Sequence, residues 1–521
     1  MSIPYSFAEW RSSLGRDFWA DDPELAAILS HHGLSDEAGR ERVARYGVYS
    51  ARAMTDGVDA NDRPGALPQV IGFDPWGMPD PMGVSVHPAT KRLLAASLRA
   101  GAATEPDVLV RYGMAYLGAQ VGEAGVSCPL ACTDGFVRAV DELECAEEVK
   151  AAAAHIRMQA PGGPVHAAQF VTEAQGGSDA ATNLVQATPV GDGSWRLSGN
   201  KFFCSNLPAQ YWAVTARPVD GPAGPRGVAL FMVPRALPSG EANGFRVERL
   251  KDKLGTRALP TAEITLDGAI GWPIGPLQAG LKNMVRIVLT TSRFWTGLAG
   301  IGLIRGAERV ATTYAEFRHA FGGPIARFPL VAEALDTLRK DRVHMLAAAF
   351  DVLSSWQATA AAETAGVPPD RNLAIRSRVL VQLFKTWATR RSTQRVHDAI
   401  IVLGGNGIEE RFSPLPRLLR DAVILETWEG PHGLLLSRGL SDLQRFGARD
   451  EPHEMAALLL PAGAAGEEVQ RIGDDLAAVL RTTDERAQML RFRDFTDDLL
   501  DLIGEIAWRE VKAGSRVDPV R

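Results

Sequence analysis

The chain has 521 residues, 46% of them hydrophobic and 23% charged, with a net charge of −6. That composition fits a globular protein of several domains, and its acidic balance gives the molecule as a whole no electrostatic footprint for nucleic acid or an anionic membrane. The four cysteines, Cys128, Cys132, Cys145 and Cys204, are too sparse for a disulfide scaffold.

Residues 1–7 carry no basic segment followed by an apolar one, so no signal peptide is expected, and no uninterrupted apolar run is long enough to span a bilayer. The expected location is cytoplasmic. Residues 1–165 read as an N-terminal α-helical domain with a loop-rich insertion near 57–82. Residues 108–120 and 136–153 place apolar side chains at helical spacing. Asp107 is positioned to N-cap the first of these, while Asp80-Pro81 and His87-Pro88 mark breaks. Cys128 and Cys132 have no partner pair and no histidine at metal spacing. They read as small hydrophobes, and no metal site is expected.

The pattern changes after Gly162-Gly163-Pro164. Short apolar runs at 167–171, 195–203, 211–216, 228–233, 245–250 and 262–266 are punctuated by Gly, Pro, Asp and Asn. This spacing predicts an antiparallel sheet or small barrel, taken as a middle β-sheet domain over 166–280. Residues 281–317, 330–365 and 371–403 are long and periodic, and 425–446 contains a further helix. Together they predict a four-helix-bundle domain over 281–446. Residues 448–468 look like a linker, and 469–513 supply one or two helices of a C-terminal extension, 447–521. The fold class is α+β.

Two motifs carry the chemistry. Thr172-Glu173-Ala174-Gln175-Gly176-Gly177-Ser178-Asp179 follows the first strand. Its small residues let a ligand approach the backbone, and its hydroxyls can bond phosphate or a ring edge. On its own such a loop is an ordinary turn. Gly199-Asn200-Lys201-Phe202-Phe203-Cys204-Ser205-Asn206 follows, with aromatic rings beside a hydroxyl. Alone, it reads as a strand with a core aromatic.

As a pair, in this order and at this spacing, the motifs resemble those of the acyl-CoA dehydrogenase family, and the Thr-Glu-x-Gln-Gly-Gly-Ser-Asp version looks like its AidB-type, alkylation-response branch. Other segments are similar too: Arg249-Leu250-Lys251-Asp252-Lys253-Leu254-Gly255, Gln120 to Pro129, Arg318-His319-Ala320-Phe321-Gly322, Leu403-Gly404-Gly405-Asn406-Gly407 and Arg420-Asp421-Ala422. The resemblance covers roughly residues 15 to 440.

The resemblance implies the family fold of helical, antiparallel β and helical-bundle domains, with FAD as cofactor. Val171 and Thr172 would meet the flavin ring edge, Gly177 and Ser178 the pyrophosphate or substrate, and Phe203 and Ser205 the ring face and its reactive nitrogen. Arg318 and Phe321 would reach FAD held by a neighbouring subunit, in a homotetramer or dimer of dimers. Gly404 and Gly405 would let the adenosine end approach a helix terminus. In Trp428-Glu429-Gly430, Trp428 would flank the cofactor and Glu429 would be the catalytic base. Such a base needs a dry pocket, where desolvation makes a carboxylate more basic. A second branch carries its base earlier, and Ser292 stands at that position. The sequence departs from the family at Pro431-His432-Gly433, Ala320 and Ile401. His432 is read first as a structural residue.

The implied activity is α,β-dehydrogenation of an acyl-CoA thioester, with an electron-transfer flavoprotein as acceptor. The alternatives are an AidB-like flavoprotein that binds or protects DNA with little turnover, and a relative redirected to oxygen chemistry. Residues 441–521 contain 11 basic and 17 acidic residues, a net −6. That surface would repel a phosphate backbone and argues against DNA. Asp474-Asp475 and Asp497-Asp498 read as solvated acidic faces.

Overall fold

The computed structural model describes residues 6–15, 17–72, 83–159 and 163–514. Residues 1–7, the 57–82 insertion and the Asp80-Pro81 break therefore lie wholly or partly outside the described residues. The chain forms two compact units. One comprises Met54–Pro106 and Glu123–Ser292. The other comprises Met1–Ala53, Asp107–Gly122 and Arg293–Arg521. Residues 1–165 are thus shared between the two.

The first unit is built on seven strands: β1 Ala167–Phe170, β2 Gln186–Pro189, β3 Trp195–Ser205, β4 Tyr211–Pro218, β5 Ala229–Pro234, β6 Phe245–Leu250 and β7 Thr261–Pro273. The path β4-β2-β3-β7-β5 returns to β4 and closes a ring, while β6 adds to β7 and β1 to β4. Most pairings are antiparallel, but β4 runs parallel to both β1 and β2.

Strand alternation explains the continuous apolar runs in this region. Trp212, Val214, Phe231 and Val233 enter the ring's core beside Phe170, Leu197 and Ile264. The intervening Ala213, Leu230 and Met232 face helices Ser127–Glu142 and Glu147–Met158, packing with Phe136, Val149 and Ile156. Both faces of β4 and β5 are therefore buried. The periodicity at 136–153 predicted one helix there. The structure makes two, separated at Leu143 to Ala146.

The second unit is helical. Pro329–Thr364 and Arg371–Leu403 match the predicted spans within a residue or so, and Asp107 caps Val108–Ala119 by accepting from Leu109 N at 2.8 Å. A buried charge cluster ties four helices. Arg342 bonds Asp22 at 3.0 Å, Glu24 at 3.3 Å and Glu308 at 2.9 Å. Tyr116 donates to Asp22 at 2.7 Å, and burial together with the Asp22 charge holds its phenol well above the usual range.

Three features depart from expectation. The supposed linker contains a helix, Pro452–Leu459. Asp497 is not merely solvated, because it pairs with Arg390, and Asp501 accepts from Arg391 at 2.9 Å and from the Trp387 indole at 3.0 Å. The extension therefore uses acidic residues to dock onto the long Arg371–Leu403 helix. Finally, one helical stretch, Leu277–Phe317, is long and apolar enough to cross a membrane by length and composition, although 83% of its most apolar window is buried inside the protein.

Candidate active site

In the β unit, the Thr172–Asp179 loop and β3 are joined by a buried ion pair. Lys201 Nζ lies 2.8 Å from Glu173 Oε1, with both side chains almost fully buried. The ammonium also donates to the Val171 carbonyl at 3.2 Å and to Thr215 Oγ1 at 3.1 Å, so its three protons are all engaged. Glu173 in turn accepts from Leu184 N at 2.6 Å and Val185 N at 3.2 Å. Burial alone would raise the Glu173 carboxyl, but the Lys201 charge and these hydrogen bonds outweigh it and hold it below the usual range. Burial pulls Lys201 down to about 8 against the opposing pull of Glu173.

Lys201 follows Leu197 on the inward side of β3, and a bulge comes directly after it. The register of β3 with β7 shifts between Lys201 and Cys204. Two buried side chains thus sit three positions apart instead of two, and Phe202 and Phe203 are left on the outer side. Phe203 is 49% exposed. Lys251 Nζ lies 3.4 Å from the centroid of the Phe202 ring and 4.2 Å from that of Phe203, and it is itself held by Glu263 at 2.7 Å. Thr172, half-buried, is fixed by Phe202 N donating to its carbonyl at 2.9 Å. A Cβ at Gly177 would come 2.5 Å from Thr172 Oγ1, so this position has no room for a side chain. Ser205 Oγ lies 3.0 Å from Thr261 Oγ1, which accepts from Lys253 at 2.9 Å. With Lys253 occupying an acceptor site on Thr261, the threonine proton can go to Ser205, which keeps its own O–H to donate.

In the helical unit, Leu415–Thr427 ends at Trp428, and the chain turns sharply before helix His432–Arg445. Glu429 occupies the turn at φ 55°, a left-handed conformation costing a non-glycine residue roughly 1–2 kcal/mol. Two buried cations hold it there through the backbone. Lys385 Nζ donates to the Glu426 carbonyl at 2.8 Å and the Gly430 carbonyl at 3.0 Å, and Arg293 Nε donates to the Glu429 carbonyl at 3.0 Å. Burial lowers Lys385 to about 7, with the Glu429 charge opposing and Arg293 adding to the drop. Burial likewise lowers Arg293 to about 10 against the Glu429 charge. The Glu429 side chain is half-buried beside these cations, a more polar setting than the dry pocket expected of it.

His432 Nε2 lies 3.3 Å from Thr389 Oγ1 and Nδ1 3.7 Å from Glu426. Burial, then the Lys385 and Arg390 charges, push it down to about 4, so it is a neutral, partnered residue. Arg318 and Phe321 sit at a two-strand hairpin, His319–Ala320 with Gly323–Pro324, whose tip leaves Phe321 fully exposed. Gly404, at φ 58°, ends helix Arg371–Leu403 in a backbone state that favours glycine, and nothing lies within 4 Å of a Cβ there or at Gly405.

Comparison with known proteins matches three consecutive stretches: residues 11–157 to the adaptive response protein AidB N-terminal domain, 168–269 to the acyl-CoA dehydrogenase middle domain, and 278–439 to the acyl-CoA dehydrogenase C-terminal domain. The AidB protein of Escherichia coli is 33% identical over 265 residues, 51% of this chain and 46% of that protein. The chain belongs to the acyl-CoA dehydrogenase superfamily, in its AidB-like branch.

Acyl-CoA dehydrogenase family member 11 of Caenorhabditis elegans is 32% identical over 60% of this chain and 50% of its own length. The aligned region thus spans about half the length of these curated relatives. Among solved structures, Bd2924 in its apo form superposes with a TM-score of 0.85 at 26% identity, covering 95% of this chain and 98% of that one. C. elegans ACDH-11 in complex with C11-CoA superposes at 0.80 and 23% identity, covering 96% and 89%. These likenesses show the acyl-CoA dehydrogenase fold, with helical, β and helical domains in that order.

Within the family frame, the β unit brings Val171, Thr172, Gly177, Ser178, Phe203 and Ser205 onto the loop and strand joined by the Glu173–Lys201 pair. The helical unit carries Arg318, Phe321, Gly404, Gly405, Trp428 and Glu429 on three separate turns. Sequence reasoning did not single out Lys385, whose signal is a lysine inside the apolar stretch 379–388 of a long helix. It also gave no role to Glu173, Lys201, Lys251, Lys253, Thr261 or Arg293, although all but Thr261 lie inside segments noted for their pattern.

Proposed function

We propose that the protein is an FAD-dependent acyl-CoA dehydrogenase in which Glu429 is the base. The observation that carries this reading is the Glu429 turn itself. A non-glycine residue in a left-handed conformation, gripped through three carbonyls by two buried cations, is a costly arrangement for a surface acid and an apt one for a positioned base.

The residues present fit a flavin. With Thr261 as donor the Ser205 hydroxyl has a proton to give, Phe203 offers an exposed ring, and Gly177 leaves no side chain where the loop folds back on Thr172. Bound FAD would supply the two-electron acceptor for hydride leaving the substrate β-carbon. The chain's own part is to hold the Glu429 carboxylate where it can take the α-proton of a thioester, and to keep its turn from relaxing. Ser178 and the exposed loop around it would meet the pyrophosphate or the substrate. Arg318, Phe321, Gly404 and Gly405 are assigned to FAD of a neighbouring subunit in a homotetramer, and Phe321, fully exposed, suits such a role. An electron-transfer flavoprotein is the proposed acceptor, and the proposed location is cytoplasmic.

Anaerobic titration of the flavin-loaded protein with short, branched, long and aromatic acyl-CoAs tests the reading. Bleaching of the flavin band by one class supports it and names the substrate. A flavin spectrum that no thioester perturbs, with salt-sensitive retention on DNA, would instead favour the AidB-like DNA-associated role. Rapid reoxidation by oxygen alone would favour oxygen chemistry.

A further inference from the structure

The β unit contains a cavity of about 480 Å³ that no proposed flavin or base residue lines. Its size falls within the range of small-molecule sites. Val86, Leu94, Val165, Leu259 and Pro260 form an apolar wall, and no carboxylate is among its lining residues. Lys91 also lines it. This lysine is exposed and has no ion-pair partner among the described residues.

A second, independent feature is His166, 3% exposed and lining the same cavity. The Asn206 amide nitrogen lies 2.9 Å from both the Ala167 carbonyl and His166 Nδ1. A carbonyl can only accept, so this atom is the amide NH2, and Nδ1 must accept from it as well. The imidazole proton therefore resides on Nε2, which has no protein partner among the described residues. Burial, reinforced by the Arg235 charge, pushes the ring down to about 3, so it stays neutral and acts as a hydrogen-bond donor without charge. The Nε2–H is therefore available to an acceptor on a ligand in the cavity.

We propose that this cavity is a binding site for a monocarboxylate with an apolar body, separate from the site of dehydrogenation. The Lys91 ammonium and the His166 Nε2–H offer the two polar contacts, and the wall from Val86 to Pro260 receives the hydrocarbon. An acidic headgroup fits a cavity with a free cation and no acid of its own, whereas a cationic ligand would meet no counter-charge.

The test uses the full-length, flavin-loaded protein, titrated calorimetrically with octanoate and with phenylacetate, and with methyl octanoate as the uncharged control. Lys91→Met, a surface change, is expected to weaken binding of the acid about tenfold while leaving the ester unchanged. Leu94→Trp, which fills the cavity, is expected to remove binding of both, with circular dichroism and flavin content confirming the fold. Saturable binding that responds to Lys91→Met supports the site. Absence of saturable binding of either acid up to roughly 10 mM, or binding indifferent to Lys91→Met, overturns it.

Discussion

The β unit and the helical unit each carry a candidate functional region that rests on a buried lysine, and the two lysines are used differently. Lys201 in the β unit meets a carboxylate, Glu173, and engages every proton it has. Lys385 in the helical unit meets only backbone carbonyls, those of Glu426 and Gly430. Burial lowers both, Lys201 to about 8 and Lys385 to about 7, against the opposing charge of Glu173 for the first and of Glu429 for the second. In the β unit the ion pair fixes the loop on the strand. In the helical unit the clamp on the turn is a lysine lowered to about 7.

The largest expected effect is on chemistry. Glu429→Gln should slow flavin reduction by an acyl-CoA about a thousandfold, within the range for removing a general base, while flavin content stays constant. Stopped-flow bleaching under anaerobic conditions measures it.

Next comes stability of the β unit. Lys201→Met leaves the Glu173 carboxylate buried without its partner, which should cost about 3–5 kcal/mol in urea unfolding. The double variant with Glu173→Gln should recover part of that loss, because a neutral amide removes the unpaired charge. If the single and double variants unfold alike, the pair does not organise the loop.

The clamp gives a pH-dependent prediction. The folded-state value of Lys385, about 7, lies below that of an unfolded lysine, near 10.4. Between these values the unfolded chain binds more protons, so this residue makes stability rise with pH from about 7 toward 10, and the contribution is lost as pH falls through 7. Lys385→Met should flatten that rise. It should also remove an inflection near pH 7 from the rate of flavin reduction, lowering kcat more than it raises KM, because the Glu429 turn loses two of its three anchors. An unchanged pH profile would separate the clamp from catalysis.

The smallest effect is expected at Ser205→Ala. Loss of one hydroxyl donor should weaken flavin retention by about 1 kcal/mol, read as a roughly fivefold rise in the dissociation constant on dialysis.

Much of the fold was legible because its signals are local. Helix Arg371–Leu403 and strand β6 fall where periodicity and punctuation put them, and the Asp107 cap follows from one side chain immediately before a helical run. Two errors share a cause. The break at Leu143 to Ala146 and the helix at Pro452–Leu459 are decided by packing that a short window of sequence does not contain. Asp497 looked like part of a solvated face because its partner, Arg390, lies more than a hundred residues earlier.

The site divides the same way. Thr172 and Ser205 stand out from motifs, since the contacts assigned to them rest on hydroxyls and small residues at fixed spacing. Lys385 and Arg293 could not, because their task is to bond carbonyls, and any residue supplies a carbonyl. The bulge after Lys201 that leaves Phe203 outward likewise leaves no mark in the alternation of residue types.

The most direct test of the central claim is exchange of the acyl-CoA α-hydrogen in deuterated water, measured by mass spectrometry on wild-type protein and on Glu429→Gln. It reports proton removal at the α-carbon independently of any electron acceptor. Deuterium incorporation by the wild-type protein with a bleaching acyl-CoA, and its loss in the variant, is the expected result. Equal incorporation by both would show that another group takes the proton and that the gripped turn at Glu429 serves the fold alone.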